Sequence, residues 1–348
     1  MRLGLALPWD GAGVAIPVET VKLAERLGFD SVWTAEAYGS DALTPLAFLA
    51  AHTSRIRLGT AVVQLAARTP ASTAMAAATI DDLAGGGRTV VGLGVSGPQI
   101  VEGWYGQPWG SPVARIRDYV AIMRKILRRD GPVSHDGTEI SLPFTGEGAT
   151  GQGKPLQTIL HPDAGLPIWI GCGGPSSVKL TAEIADGWLP MGLTPESWEL
   201  YEPWIREGLG RAGRSLAEIE IQVGCHVEVA DDLETAWARR KKMIGFYVGG
   251  MGSKTHNFHK QTMIRRGYPD AADEIQELFL AGRRDEAYAA VPDSYIDDMG
   301  LYGDEHRIRR RYQRYVDTPI TGLTLQAADP ATLELMADIA GLSTGETP

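Results

Sequence analysis

Eight short apolar runs, separated by stretches of helical period, set the tightest limit on how this chain can fold. The runs cover residues 3–7, 31–34, 56–63, 89–93, 168–170, 187–190, 219–229 and 322–325. Most are too short for helices and carry the Val, Ile, Leu and Thr of buried strands. Helical spacing is read over 18–27, 46–52, 70–83, 113–129, 176–184, 195–211, 233–246, 305–315 and 330–339. In the first of these, Val18, Val21, Ala24 and Leu27 share one face, and Gly28 follows as a stop. Strands that alternate with helices over such lengths are parallel and joined by crossovers. Eight units predict one (β/α)8 barrel spanning 1–348, with an open doubly wound sheet as the rival arrangement. The alternation breaks twice. Residues 130–167 are rich in Gly, Pro and Thr, with a small hairpin predicted at 133–140 around Asp136-Gly137. Residues 247–291 hold no strand-like run but at least one helix, at 271–281. Both read as insertions into the barrel.

Charge narrows the partners. Lys and Arg number 33 against 43 Asp and Glu, a net charge of −10, which argues against nucleic acid or an anionic membrane. The basic runs 239–242 and 307–311 lie in helical sequence and read as solvated faces. The two cysteines, Cys172 and Cys225, have no Cys-x-x-Cys spacing. Disulfide scaffolding and structural zinc are therefore not expected, and a reducing cytoplasm is. His256 and His259 give the nearest approach to metal-ligand spacing, and two residues do not make a zinc site. The opening apolar run is too short for a signal peptide, and no stretch is long enough to span a bilayer.

Two strands end in small-residue loops. Residues 89–93 run into Gly94-Val-Ser-Gly-Pro98, and 168–170 run into Gly171-Cys-Gly-Gly-Pro175. Loops of this kind let backbone N–H groups approach an anion closely, and a following helix N-terminus adds a favourable dipole. The pair suggests a phosphate-bearing ligand at one end of a barrel. In a barrel all strand C-termini share one mouth, which adds Glu36 to Asp41, 61–64, Met191 and Gly192 to the same site.

In order along the chain, Gly28-Phe-Asp-Ser-Val-Trp-Thr-Ala-Glu36, Arg57-Leu-Gly-Thr-Ala-Val62, Gly92-Leu-Gly-Val-Ser-Gly-Pro98, Gly171-Cys-Gly-Gly-Pro175 and Ala185-Asp-Gly-Trp188 resemble the bacterial luciferase-like superfamily. The likeness is greatest to its coenzyme F420-dependent oxidoreductases and covers nearly the whole chain. It implies a barrel that holds a deazaflavin, or flavin mononucleotide as the alternative, at its mouth. It further implies a non-proline cis peptide at Ala61–Val62 behind the ring. The implied phosphate contacts are Ser96 and Gly97 in one loop and Cys172, Gly173 and Gly174 in the other, with Met191 and Gly192 flanking the ligand. A homodimer is the usual assembly. One departure matters: where many deazaflavin relatives carry an Asp-His pair, this chain has Glu36-Ala37.

Three residues are candidates for chemistry. Glu36 ends an apolar strand at the mouth, where burial can bring a carboxyl into acid/base range; the alternative is that it accepts hydrogen bonds from loop amides or the ring. Tyr38 is placed to donate a proton or line the substrate pocket. Gln64, polar at the end of an apolar strand, is placed to contact the ring or substrate. Trp104 and Trp109 flank Gly106 beyond the fourth strand, and Trp104 is the candidate wall for an apolar substrate. The segment 245–253 is a candidate cover for substrate or cofactor tail. The expected activity is hydride transfer between deazaflavin and a small organic molecule. The rivals are a monooxygenase using reduced flavin mononucleotide and a non-catalytic barrel that stores a cofactor.

Overall fold

A computed structural model of the chain describes residues 1–8, 12–252, 256–326 and 329–342. β1 (Arg2–Ala6) leads through α1 (Val18–Arg26) to β2 (Ser31–Thr34), and α2 (Leu43–Ala50) leads to β3 (Arg57–Thr60). The expected cis peptide lies between Ala61 and Val62, after which the strand resumes as β4 (Val63–Gln64). Next come α3 (Pro70–Leu83), β5 (Thr89–Gly94), the single turn α4 (Pro98–Val101) and α5 (Pro112–Arg128). The chain continues with β6 (Ile168–Cys172), α6 (Pro175–Ile184), β7 (Gly187–Pro190), α7 (Trp198–Arg211) and β8 (Glu220–Val229). Helices α8 (Leu233–Gly250), α9 (Phe258–Arg265), α10 (Pro269–Leu280), α11 (Arg284–Ala289) and α12 (Asp293–Asp298) precede β9 (Gly300–Gly303). The last elements are α13 (Glu305–Val316), β10 (Gly322–Gln326) and α14 (Pro330–Ile339).

The strands pair in parallel in the order β1, β2, β3, β5, β6, β7, β8, β10, and β10 returns to β1. With β3 and β4 as one interrupted strand, this is a closed eight-stranded (β/α)8 barrel. Closure leaves no edge, and helices cover the outside, which is why the strands read as continuous apolar runs. Helix starts are marked locally. Pro occupies the first turn of α3, α5, α6, α10 and α14, and Asp232, Asp304 and Asp329 cap α8, α13 and α14.

Side chains on alternate strand positions fill the lower half of the barrel. Trp33 and Trp169 are buried there with ring centroids 5.1 Å apart. Glycine makes room for them: a Cβ on Gly59 would stand 2.4 Å from the Trp33 ring, and one on Gly187 2.3 Å from Trp169. Below this floor Arg57 lies 5.6 Å from the Trp169 ring centre. It pairs with Asp30 at 2.6 Å and Glu220 at 3.0 Å, and Arg2 also pairs with Glu220. These ions close the N-terminal end. Above the floor many interior positions are small, Ala6, Ala61, Gly94, Gly171 and Gly224 among them, with Leu189 beside Gly171 and Thr324 beside Gly224 as larger neighbours. Gly224 is exposed although it lies in the middle of a barrel strand, so solvent reaches the interior face at that height. The upper barrel is a bowl open at the strand C-termini.

Both excursions differ in detail from expectation. Residues 133–140 do not form a two-residue hairpin. His135 bridges Leu142 and Val133 bridges Leu156, because the Asp118 carboxylate of α5 gathers the loop by accepting the amides of Glu139 at 2.7 Å and Ile140 at 3.0 Å. The second excursion runs past 291 through α12 into β9, which pairs with the upper part of β8 at 226–229. α8 extends to Gly250, beyond its expected end at 246.

Candidate active site

Glu36 is buried at the rim, immediately beyond β2. Its carboxylate accepts the amide of Ala42 at 3.1 Å and that of Gln64 at 2.9 Å. Arg68 Nη1 donates to both carboxylate oxygens, at 2.6 and 2.9 Å, and the Arg68 guanidinium also reaches Asp41 at 3.5 Å. A carboxylate that holds three donors through four hydrogen bonds is built to position them, which favours the hydrogen-bonding alternative over a free acid. What it positions is the bulge. Gln64 Nε2 donates back to the Glu36 carbonyl at 2.8 Å, and its Oε1 is buried without a partner among the described residues. Val62 lies across the interior faces of Gly94 and Gly171, where added Cβ atoms would stand 2.4 and 2.7 Å from its methyl groups. Arg68 had no signal in the sequence; it lies in a loop and matters only because α3 begins directly below Glu36. Tyr105 closes the same corner, its hydroxyl donating to the Ala37 carbonyl at 3.0 Å.

The two glycine loops sit side by side, since β5 and β6 are neighbours. Ser96 takes the left-handed region (φ 57°), uncommon for a residue with a side chain. Gly97 caps only the single turn α4, whereas Gly174 caps the ten-residue α6. The Cys172 thiol turns away from the bowl to lie 3.3 Å from Thr181 Oγ1, and burial raises its pKa. Cys172 can therefore serve a ligand through its backbone alone. Over these loops lies α9. A Cβ on Gly173 would be 3.8 Å from Thr262 Oγ1, and one on Gly192 2.7 Å from Thr262 Cγ2. Met191 packs against Gly173 from the β7 side. Arg265, one turn of α9 further on, touches Thr262 Oγ1 at 3.4 Å. Among the described residues Arg265 Nε and Arg266 Nη1 are buried without a hydrogen-bond partner, although the Arg266 guanidinium is otherwise held by Asp298 at 3.5 Å and by the Tyr295 ring. A cationic side chain on α9, joined through Thr262 to the Gly173 loop, suits an anion.

Tyr38 is about half exposed and Trp104 is 63% exposed, so both stand at the rim in solvent. Trp109 contacts Phe258 at the start of α9, with ring centroids 6.5 Å apart. The aromatic loop after β5 and the helical excursion thus meet over the mouth. In the segment 245–253, α8 supplies 245–250, and Ser253 lies outside the described residues. The other wall was not legible in the sequence. His226 follows Gln222 and Gly224 on the interior face of β8, stacks on Tyr302 at 5.6 Å, and has Nε2 3.3 Å from Glu228 Oε2. Burial and the Arg240 guanidinium hold its pKa below the usual histidine value.

The bowl, the interrupted third strand and the paired glycine loops have counterparts in known proteins. A protein of Mycobacterium tuberculosis assigned as a coenzyme F420-dependent oxidoreductase is 45% identical over 346 residues, covering 98% of this chain and 99% of that one. The coenzyme F420-dependent tetrahydromethanopterin reductase of Methanopyrus kandleri superposes with a TM-score of 0.78 at 24% identity, over 98% of this chain and 99% of that one. A monooxygenase of Streptomyces bottropensis superposes with a TM-score of 0.66 at 21% identity, covering 97% and 98%. At those identities the two solved structures share the fold. Among the described residues no helix is long and apolar enough to cross a membrane. The profile of the luciferase-like monooxygenases matches residues 1–322, and the chain belongs to that family of enzymes.

Proposed function

We propose that the enzyme is a coenzyme F420-dependent oxidoreductase that transfers a hydride between the deazaflavin and a small organic substrate. The observation that carries this reading is the bowl itself. It has walls rich in glycine and alanine, two glycine loops side by side on β5 and β6, and Arg265 joined through Thr262 to the loop at Gly173. These groups fit a planar, hydrogen-bonding ring joined to a phosphate-bearing tail, and the 45% identical relative supports the deazaflavin. When bound, that ring supplies the carbon that gives or takes the hydride.

The protein's part is placement. Ala61 and Val62 would back the ring, with Gln64 beside them. The backbone of Ser96, Gly97, Cys172, Gly173 and Gly174 would hold the phosphate, with Arg265 supplying charge, and Met191 and Gly192 would flank the tail. Glu36 is a positioning residue that fixes Gln64 and, with Arg68, the turn below it. α9 and the Trp109 loop narrow the mouth and limit water near the transfer. Tyr38 and Trp104 stand where a substrate enters. A cytoplasmic homodimer is the proposed working form, checked by light scattering.

A second reading has support in the likeness to the Streptomyces monooxygenase: the same bowl takes flavin mononucleotide, and the enzyme consumes oxygen. Paired fluorescence titrations with coenzyme F420 and flavin mononucleotide decide between them. Preferential micromolar binding of the deazaflavin is expected. Preference for flavin mononucleotide, with oxygen uptake driven by reduced flavin, would replace the proposal, and binding of neither would remove it.

A further inference from the structure

Arg240, on α8, reaches the barrel mouth between β8 and β10. Its Nη2 donates to Gln326 Oε1 at 2.8 Å, and its Nη1 lies 3.6 Å from Met243 Sδ. Among the described residues no carboxylate pairs with it; its neighbour Arg239 takes Glu228. Gln326 ends the interior-facing series Gly322, Thr324, Gln326 on β10, and its Nε2 stands 2.9 Å from where a Cβ on Gly224 would be. Arg240 and Gln326 therefore sit together on the bowl wall at the height where Gly224 is open to solvent. His226 is the next interior position on β8, and its Nδ1 is buried without a partner among the described residues.

The place matters as much as the charge. In the closed strand order, β8 stands directly across the barrel from β3, the strand that ends at Ala61–Val62. A ring backed by that bulge turns its free face toward β8 and β10. The phosphate-loop side, with Arg265, lies along β5, β6 and β7 and is separate from this wall.

A guanidinium taken partly out of water without a counter-charge is costly, and here burial lowers its pKa, so the folded chain carries an unmet demand for an anion. Gln326 fixes one edge of the planar fork, which leaves it oriented for a flat, singly charged acceptor. One uncompensated positive charge matches one negative charge. We propose that Arg240, held by Gln326, recognises a carboxylate on the substrate, so that this enzyme acts on small organic carboxylates. The assignment rests on the reading that the cofactor ring lies against the bulge.

The test uses the whole enzyme, with and without saturating coenzyme F420, and compares crotonate, benzoate and cinnamate with their amides. Thermal shift and calorimetric binding are the readouts. At least one acid is expected to bind tenfold or more tightly than its amide. Arg240→Gln is expected to reduce that ratio to within twofold and Arg240→Lys to retain part of it, with the affinity for coenzyme F420 unchanged in both. Equal binding of acids and amides by the wild type overturns the proposal, as does an acid preference that survives in Arg240→Gln. Stabilisation by inorganic phosphate in place of any carboxylate also overturns it. Should Arg240→Gln not fold, the wild-type ratio and the lysine variant still decide. A wild type that fails to bind coenzyme F420 counts against the cofactor reading, whereas a wild type that binds the cofactor but shows no acid preference counts against Arg240.

Discussion

Glu36 and Gln64 are tied to each other twice. The Glu36 carboxylate accepts the Gln64 backbone amide at 2.9 Å, and the Gln64 side-chain amide donates to the Glu36 carbonyl at 2.8 Å. The end of β2 and the resumed strand β4 are thereby fixed as one unit, with Arg68 clamped beneath.

This clamp makes Glu36→Gln a structural lesion first. Removing the carboxylate leaves Arg68 without its main partner, a loss of about 3 kcal/mol for a buried pair. Urea denaturation should show that loss together with weaker cofactor binding. A variant with unchanged stability and cofactor affinity but abolished turnover would instead identify Glu36 as the acid.

The glycine walls give a sharper prediction about volume. A Cβ at Gly171 would be 2.7 Å from Val62 Cγ1, so Gly171→Ala must push Val62 toward the bowl. Cofactor affinity should fall at least tenfold while the stability cost stays near the roughly 1–3 kcal/mol of an overpacked core. Unaltered cofactor affinity would mean that the ring does not rest against Val62.

At the opposite end, Arg57 joins Asp30 and Glu220 below the tryptophan floor, and those carboxylates raise its pKa despite partial burial. Arg57→Met should destabilise the barrel by about 1–3 kcal/mol. Its titration curve with the cofactor should overlay that of the wild type. A changed affinity would show that the two ends of the barrel are coupled.

Acid should weaken the fold through its partly buried histidines. Burial lowers the pKa of His259, packed against Tyr247 at 4.6 Å, to about 4, and His226 is shifted the same way. The unfolded chain takes up these protons near pH 6.5, well before the folded one does. The stability they contribute is complete above that pH and is lost on acidification toward pH 4, at up to about 1.4 kcal/mol per pH unit for each histidine. Unfolding free energies at pH 7 and pH 5 should therefore differ less for His259→Gln than for the wild type. Parallel pH curves for the two proteins would rule this out.

The barrel strands were legible because each is a buried parallel strand, and burial on both faces writes itself as an apolar run. β9 was not, since Gly300-Leu-Tyr-Gly303 is two glycines around two apolar residues and owes its pairing to β8. The hairpin at 133–140 failed for a related reason: Asp118, many residues upstream, supplies the acceptor that shapes the loop. The glycine loops and the Ala61–Val62 bond could be found from local motifs. Arg68, His226, Arg240 and Gln326 could not, because their place depends on strand parity and on how far a helix side chain reaches. Cys172 shows the converse. It lies in the glycine motif, yet its side chain faces the helices.

A barrel of this kind ordinarily packs side chains in successive layers from one end to the other. Here full packing ends near Trp33 and Trp169, and at the next heights Ala6, Ala61, Gly94, Gly171 and Gly224 contribute almost no side chain, with Leu189 and Thr324 only partly filling the gap. On the proposed reading a bound ligand would take the place of the missing layer. It would be in effect the last core residue of the protein, supplied from outside the chain, so that synthesis of the polypeptide and completion of its interior would be separate events.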